Sequence, residues 1–255
     1  MKENKFKVIV IGGGPAGLSS ATVLGRSKIS TLVLNTENPR NLVTTNSHGF
    51  LTQDGIHPSE IFKTAKKQLS KYSSVVYENN KAIKLELINN EFIVKTETLN
   101  YSAKRVIIAT GHTDDIESIG IKGLIEVYGK SVYPCPFCDG FELSDKKLAI
   151  IGNAFMAPMF SKTISNWSKD IIVFTNGDKV LDKELVSNLY KNNIQIIEQK
   201  INKLISNNGQ LIGIELEDGS IIEREGGFLP DTNSVESTDF AEKLKVPTEI
   251  DEFGM

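Results

Sequence analysis

Both cysteines of the chain, Cys135 and Cys138, lie in one Cys-x-x-Cys motif, and we predict that this pair carries the chemistry. A disulfide between residues three apart closes too short a loop to stabilise a large fold, and no second pair is present to build a framework. A redox-active dithiol is the better interpretation, because this geometry commonly lowers the pKa of one thiol and the thiolate attacks disulfides. Asp139, the residue directly after Cys138, can give a proton to a departing thiolate.

The cysteine pair has two other interpretations. A structural zinc site needs four ligands, and His48, His57 and His112 are scattered far upstream, so such a site could be completed only between subunits. Two inert buried thiols are the second alternative, which is less typical of a pair bracketed by prolines and a turn signal. The sequence therefore predicts a redox pair and no metal site.

Composition and charge restrict the partners. With 255 residues, of which 40% are hydrophobic and 24% charged, the chain can bury a substantial core or form two modest domains. A formal net charge of -3 provides no basic footprint for nucleic acid and no polybasic membrane signal. The first apolar stretch is too short to span a bilayer and lacks a cleavage site, so we predict a cytoplasmic protein. In that compartment a dithiol is more typically catalytic than structural.

A glycine-rich loop near the N-terminus predicts a dinucleotide site. Gly12, Gly14 and Gly17, with Pro15 and Ala16 between them, fill the G-x-G-x-x-G template. An apolar strand pattern precedes the loop and a helical pattern follows it, which is the context that this motif requires. The glycines permit a tight turn, approach of backbone amides to a pyrophosphate, and close packing of helix on strand. The helix N-terminus adds free N–H donors for the phosphates.

Further cofactor residues are predicted where two other strands end. After the second strand, the position of a ribose-binding acid is held by Asn35, whose amide oxygen can accept a hydrogen bond, with Glu37 as the reserve candidate. A later buried strand closes on Ala109, Thr110 and Gly111. Glycine there permits close backbone approach to a ligand, at the sheet edge where open α/β proteins bind their cofactors.

Hydrophobic periodicity predicts the remaining elements. In the first half these are a helix over residues 58–72 and strands over 75–77, 82–88, 91–96 and 105–108, with a hairpin at Asn89-Asn90. In the second half they are a helix over 182–190, strands over 147–151, 171–174 and 194–197, and hairpins at 207–209 and 218–219. We interpret one apolar cluster as core, namely Phe155, Met156, Met159 and Phe160.

Taken together, these motifs resemble the low-molecular-weight thioredoxin reductase family of flavoproteins, and in particular its branch with a Cys-Pro-aromatic-Cys-Asp-Gly centre. The matching segments are residues 12–17, 39–41, 48–55, 109–111 and 128–131, followed by the segment 135–140. They occur in family order over nearly the whole chain. Each segment alone could be chance, whereas the set is specific.

The resemblance implies an α/β fold with two Rossmann-like nucleotide-binding domains and FAD in the first of them. It implies that Cys138 faces the flavin, that Cys135 exchanges with the substrate disulfide, and that Asp139 is the acid–base group. The usual electron donor in the family is reduced pyridine nucleotide, and the partner is a thioredoxin-like protein or a small-molecule disulfide or dithiol. Homodimers are the family habit, although no stretch of this sequence independently demands an interface.

The resemblance also implies a domain order. Residues 1–114 would form the FAD-binding domain and residues 115–227 an inserted NAD(P)-binding-like domain that carries the dithiol. Residues 228–255 would return to the FAD domain. The sequence ends before the Gly-Asp motif and last helix of the family, so the chain is either naturally shortened or a fragment, and we expect an open or incomplete flavin site.

The second nucleotide loop departs from the family pattern. It begins with Gly152, as expected, but Ala154 stands where the second glycine should be, and its methyl group hinders approach of a pyrophosphate. After the next strand, the basic cluster for a 2′-phosphate is replaced by the run 175–179, in which Lys179 is a poor substitute for an arginine clamp. Both departures weaken the case for NADPH.

The sequence is compatible with three functions. The first is an FAD-dependent disulfide oxidoreductase that passes electrons between NAD(P)H, flavin, the dithiol and an external disulfide. The second runs the chemistry in reverse, as an oxygen-dependent oxidase of small dithiols, which would not need NADPH. The third is a non-catalytic nucleotide-binding remnant, which we rank last because a remnant has little reason to retain the two cysteines together with Asp139.

Overall fold

The computed structural model describes residues 4–247, and within them the chain divides into two compact units. The first unit comprises residues 4–42, 59–113 and 235–247, and the second comprises residues 43–58 and 114–234. The chain end, on which the expectation of an incomplete flavin site depends, falls at residues 248–255 and lies outside the described residues.

The elements follow one another in an order typical of alternating α/β proteins. The strands are β1 (Lys5–Ile11), β2 (Thr31–Asn35), β3 (Val75–Asn79), β4 (Ala82–Ile88), β5 (Glu91–Thr96), β6 (Asn100–Ile108), β7 (His112–Thr113), β8 (Val132–Tyr133), β9 (Leu148–Ile151), β10 (Ile171–Phe174), β11 (Gln195–Ile197), β12 (Ile201–Asn207), β13 (Gln210–Leu216), β14 (Ile221–Ile222), β15 (Gly226–Phe228) and β16 (Val235–Glu236). The helices are α1 (Pro15–Arg26), α2 (Pro58–Leu69), α3 (Leu124–Val127), α4 (Pro136–Asp139), α5 (Met156–Ile164), α6 (Lys183–Lys191) and α7 (Phe240–Lys243), with short 3-10 turns at Arg40–Val43 and Glu117–Ile119.

The first unit is built on a six-stranded sheet in the order β3-β2-β1-β6-β5-β4. The first four of these strands run parallel, and β5 and β4 add an antiparallel hairpin at one edge. Ile9 on the central strand lies beside Leu32 on β2 and Val106 on β6, and Ile9 and Leu32 are fully buried. This burial on both faces explains the continuous apolar run of β1, because central parallel strands are covered on each side.

The second unit carries an all-parallel five-stranded sheet in the order β11-β10-β9-β15-β8. A separate antiparallel sheet, β12-β13-β14, stands beside it in the same unit. Helix α5 packs on β9 and β10 through Ala157, Ser161 and Ile164, which are buried and share one helical face. In both units, the candidate site residues lie in loops at the ends of the parallel strands.

The apolar cluster that we interpreted as core is only partly buried, and this prediction is wrong for two of its members. Phe155 is 68% exposed and Met159 is 54% exposed, whereas Phe160 is partly buried against the core. The buried face of α5 instead follows Ala157, whose neighbours on that face come four and seven residues later. Adjacent apolar residues on a helix point to different faces, so the cluster could not be buried as a whole.

Among residues 4–247, the helices are all too short or too polar for a membrane span.

Candidate functional site

The two cysteines form a disulfide in the second unit, at the start of the short helix α4. Their Cα atoms are 5.3 Å apart, and the backbone N–H groups of Cys138 and Asp139 both donate to the carbonyl oxygen of Cys135 at 3.3 Å. Pro136 occupies the first helical turn, where the missing N–H costs nothing. The sequence thus folds the motif into one tight turn, in which Cys138 is exposed and Cys135 is half-buried.

The turn is held by packing on Trp167. The ring of Phe137 meets the indole edge-on, with ring centroids 5.6 Å apart. At Gly140, a Cβ atom would lie 2.4 Å from the carbonyl oxygen of Pro136 and 2.7 Å from the indole of Trp167. Only glycine therefore lets the chain pass between the helix and the indole, which explains the Asp139-Gly140 pair directly after the cysteines.

Asp139, the residue directly after Cys138, is buried, and its pKa is raised to about 6. Burial is the largest cause, because a carboxylate removed from water loses hydration. The charge of His48 opposes the increase, and the charge of Glu142 adds to it. Burial, with the charges of Asp139 and Glu142, also raises the pKa of Tyr133 to about 12. The site thus holds a carboxyl group that can exchange a proton near neutral pH.

The first glycine loop, in the first unit, forms a cradle of backbone atoms, and two of its positions admit only glycine. Gly12 has a φ of +104°, and a Cβ there would lie 2.2 Å from the carbonyl oxygen of Ala109. A Cβ on Gly17 would lie 1.9 Å from the carbonyl oxygen of Gly12. In contrast, no atom lies within 4 Å of the Cβ position at Gly14, which begins helix α1 without a side-chain cap. The free helix end and the open space beside Gly14 fit a dinucleotide pyrophosphate.

The residues predicted to bind ribose make other contacts. The side-chain oxygen of Asn35 accepts a hydrogen bond from the Gly13 N–H at 2.9 Å, and its amide nitrogen donates to the Tyr77 hydroxyl at 2.8 Å. Glu37 pairs with the ammonium group of Lys66. Asn35 therefore braces the glycine loop, because its side chain joins the backbone of Gly13 to the hydroxyl of Tyr77.

The residues after strand β6 contact the glycine loop, as predicted from their place at the same edge of the sheet. The Ala109 N–H donates to the carbonyl oxygen of Ile11 at 2.8 Å, and Ala109 then lies directly beneath Gly12. Thr110 shares a hydrogen bond of 3.1 Å with Thr238, and Gly111 has a φ of +65°. Two of the predicted cofactor segments thus come together in the first unit, whereas the dithiol and Gly152 belong to the second.

The second nucleotide loop is closed by one of its own side chains. The side-chain oxygen of Asn153 accepts hydrogen bonds from the N–H groups of Phe155 and Met156, at 3.0 and 2.7 Å. These are donors at the start of helix α5, the position that a nucleotide phosphate takes in such loops. Asn153 and the methyl group of Ala154 therefore stand where a pyrophosphate would bind, and the loop does not fit one in this arrangement.

The second unit also lacks a cationic clamp among its described residues. Its only arginine there is Arg224, which is buried and pairs with Asp170 at 2.7 Å. In the loop after β10, Asn176 accepts from the Ile201 N–H at 3.0 Å, and Lys179 is exposed. Among the residues that the structure describes, Lys179 is thus the one cation of the loop between β10 and α6.

Opening this loop should improve nucleotide binding. We expect the double variant Asn153→Gly with Ala154→Gly to bind NADPH about tenfold more tightly than the parent chain, because two N–H donors are freed and a methyl group is removed. Calorimetric titration of the full chain with NADPH measures this difference. Asn192→Gly, at the end of helix α6, is the matched control and should change nothing. Equal affinity of the parent and the double variant would contradict the prediction.

Sequence reasoning missed the contact between His48 and Glu142, a residue that follows the dithiol motif closely in the chain. Its imidazole lies 3.4 Å from the Glu142 carboxylate and 3.7 Å from that of Asp54, in the segment 43–58 that belongs to the second unit. The only signal in the sequence was the place of His48 in a matching family segment.

The hydrogen bonds from Asn153 to the start of helix α5 could have been expected, since asparagine is a preferred capping residue at helix starts.

A Cys-x-x-Cys pair followed by a buried acid, together with a glycine cradle on a Rossmann-like sheet, is typical of dinucleotide-dependent disulfide oxidoreductases. The family described as pyridine nucleotide-disulphide oxidoreductase matches residues 6–231, and the chain belongs to that family. This finding confirms the predicted resemblance and oxidoreductase class.

Individual relatives point to the same class. A protein named "Probable thioredoxin reductase" from Arthroderma benhamiae is 34% identical over 182 residues, which are 69% of this chain and 45% of that protein. Thioredoxin reductase of Bacillus subtilis is 27% identical over 252 residues, covering 90% of this chain and 75% of that one. The chain thus spans less than half of the first relative's length.

Among solved structures, the crystal structure titled "Putative Thioredoxin Reductase TrxB" from Bacillus anthracis superposes with a TM-score of 0.90. It is 36% identical, and the match covers 98% of this chain and 82% of that one. The predicted α/β class with two Rossmann-like domains is confirmed by this likeness. The comparisons favour the thioredoxin reductase type over the two alternative functions.

Proposed function

We propose that the chain is an FAD-dependent disulfide oxidoreductase of the thioredoxin reductase type, which passes electrons between a flavin, the Cys135/Cys138 dithiol and an external disulfide. The observation that carries the proposal is the Cys135–Cys138 disulfide followed directly by the buried Asp139, in a chain of this family. The same proposal includes the predicted domain roles, which are FAD binding for residues 1–114, the dithiol domain for 115–227, and a return to the FAD domain for 228–255.

FAD would be held by the cradle around Gly12, Gly14 and Gly17, with Pro15, Ala16 and the segment 109–111 completing it. When bound, FAD supplies two-electron redox chemistry. Asn35 would act through the loop that it braces, and Glu37, which pairs with Lys66, is the weaker candidate for ribose. No step is assigned to NADPH or NADH, because the loop at Gly152 and Asn153 does not fit a pyrophosphate as it stands.

In the proposed reaction of the dithiol, Asp139 delivers both protons that the two leaving thiolates take up. The Cys135 thiolate attacks one sulfur of an external disulfide, whose S–S bond breaks, and the leaving thiolate takes the proton of Asp139. The carboxylate then takes the proton of Cys138, whose thiolate attacks the Cys135 sulfur of the mixed disulfide. The second thiolate leaves and takes that proton. Two electrons pass to the substrate, two thiols are released, and Asp139 ends ionised.

The direction of the pH effect follows from the carboxyl group. Asp139 must be protonated to serve the first leaving thiolate, and its pKa lies at about 6. The protonated fraction therefore falls as pH rises above that value, and the exchange step should slow in the same range. Burial raises the pKa of Asp139 from the acidic range to one in which both the protonated and the ionised carboxyl group are populated.

The partner is a disulfide that can reach an exposed turn. A thioredoxin-like protein is one candidate and a small-molecule disulfide is the other, and the half-buried Cys135 beside the exposed Cys138 is compatible with either. The proposal includes the cytoplasm as the compartment, as predicted from the sequence, and a homodimer as the assembly, as the family resemblance implies.

The first experiment is a visible absorption spectrum of the purified full chain, before and after incubation with FAD and gel filtration. Retained flavin is the expected result, since the cradle fits a dinucleotide. A folded protein that stays colourless in both samples would reject the flavoenzyme and favour the non-catalytic remnant. Oxygen consumption with a dithiol substrate, measured on the same sample, would instead support the oxidase.

A further inference from the structure

The peptide group between Gly12 and Gly13, in the first glycine loop, is held on both of its edges. The N–H of Gly13 donates to the side-chain oxygen of Asn35 at 2.9 Å. Because a trans peptide points its N–H and its C=O in opposite directions, the Gly12 carbonyl oxygen faces away from Asn35. It lies against Gly17, where an added Cβ would be 1.9 Å from it. The side chain of Asn35 therefore fixes the plane of a peptide inside the glycine loop.

The amide group of Asn35 can be oriented in only one way. A backbone N–H only donates, so the Gly13 N–H must face the amide oxygen. The amide nitrogen then faces the hydroxyl of Tyr77, to which it donates at 2.8 Å. Tyr77 lies on strand β3, beside Val33 of β2 in the parallel pair. Its hydroxyl oxygen thus holds Asn35 in the orientation that Gly13 requires.

Tyr77 is in turn contacted by a cation. The ammonium group of Lys66, from helix α2, lies 4.8 Å from the centroid of the Tyr77 ring and is attracted by its aromatic face. The same ammonium group pairs with the carboxylate of Glu37. Glu37 follows Asn35 by two residues, so this chain of contacts returns to the end of β2, from which it started. The whole chain of contacts lies within the first unit.

We propose that Tyr77 and Lys66 are positioning residues of the first nucleotide site. They act on the glycine loop through Asn35, whose hydrogen bond to Gly13 fixes the peptide plane. The loop presents its backbone N–H groups to a dinucleotide pyrophosphate in the arrangement that this plane sets. This use rests on the proposed binding of FAD, whereas the effect of Tyr77 on the flavin-free loop does not.

The test is amide hydrogen exchange at Gly13 in the flavin-free full chain, followed by NMR spectroscopy. Tyr77→Phe keeps the aromatic ring and removes only the hydroxyl that accepts from Asn35. We expect exchange at Gly13 to become about fivefold faster, the effect of losing one hydrogen bond. Lys66→Gln should accelerate it about twofold. Tyr72→Phe, which removes a hydroxyl from a partly buried tyrosine of the same core cluster, is the control and should leave the rate unchanged.

A double variant separates positioning from a general loss of stability. In the Asn35→Ala background Tyr77 has no amide to act through, so Tyr77→Phe should no longer alter exchange at Gly13. A merely structural tyrosine would have the same effect in both backgrounds. If Tyr77→Phe does not fold, Lys66→Gln serves in its place, because that side chain is 40% exposed.

Three results of the exchange measurement would overturn the proposal. They are an unchanged rate in Tyr77→Phe, an equal effect of this variant in the two backgrounds, and a parent Gly13 amide that exchanges as fast as an unprotected one. A faster rate in Tyr77→Phe that disappears in the Asn35→Ala background supports it.

Fluorescence titration of the same variants with FAD measures the consequence for the cofactor. Affinity should fall about fivefold in Tyr77→Phe and stay unchanged in Tyr72→Phe. Equal affinity of Tyr77→Phe and the parent, despite faster exchange, would overturn the role in cofactor binding. If the parent chain itself binds no FAD, the proposed function fails, whereas the exchange rates still decide whether Tyr77 positions the loop.

Discussion

Cys138→Ser should lower disulfide reduction by on the order of a thousandfold or more, the scale on which loss of a covalent nucleophile acts. A serine hydroxyl is not ionised near neutral pH and forms no disulfide, so the mixed disulfide on Cys135 has no internal thiol to resolve it. The variant should therefore accumulate a covalent adduct with the substrate. Activity assays measure the loss, and intact-mass spectrometry of the protein measures the adduct.

The matched variant is Cys135→Ser, which should lose activity to the same extent without accumulating the adduct. This asymmetry tests the assignment of Cys135 as the residue that exchanges with substrate, because either cysteine is needed for turnover but only one captures the disulfide first. Undiminished reduction by Cys138→Ser would reject the dithiol mechanism. An adduct on Cys138 in the other variant would reverse the two roles.

The secondary structure was predictable where periodicity and turn chemistry agree. Strands β4 and β5 match their predicted bounds, and the two asparagines between them, Asn89 and Asn90, have φ values of +50° and +61°. Such positive angles are what a tight hairpin requires, and asparagine tolerates them. Local sequence therefore contains enough information for these elements, because each one depends on neighbours in the chain.

The site was less predictable, because its details depend on contacts between distant segments. His48 lies more than ninety residues before Glu142 in the sequence, and nothing in its own neighbours predicts the pair. Asn35 was predicted to bind ribose through its amide oxygen, and the contact that the sequence did not reveal is that this oxygen accepts from the N–H of Gly13, 22 residues earlier. A polar residue at a strand end can serve a ligand or the backbone of the next loop, and only the folded contacts distinguish these uses.

The glycine loop provides a pair of variants that separates folding from cofactor binding. Gly12→Ala should lower the free energy of unfolding by about 3 kcal/mol, because the new Cβ meets the carbonyl oxygen of Ala109 at 2.2 Å and the residue has a positive φ. Strand β6 must shift away from β1 to admit it. Urea unfolding of the flavin-free protein measures this loss, which is independent of any ligand.

Gly14→Ala should behave in the opposite way. Its Cβ would enter space in which no atom outside the adjacent residues lies within 4 Å, so the stability of the flavin-free chain should fall only by about 1 kcal/mol or less, the cost of alanine instead of glycine at the N-cap. If the pyrophosphate of FAD lies there, the same methyl group blocks it, and flavin affinity should fall about tenfold or more. Fluorescence titration with FAD measures this. Unchanged affinity in a stable Gly14→Ala variant would show that the phosphates bind elsewhere, whereas loss of affinity without loss of stability places them at the start of helix α1.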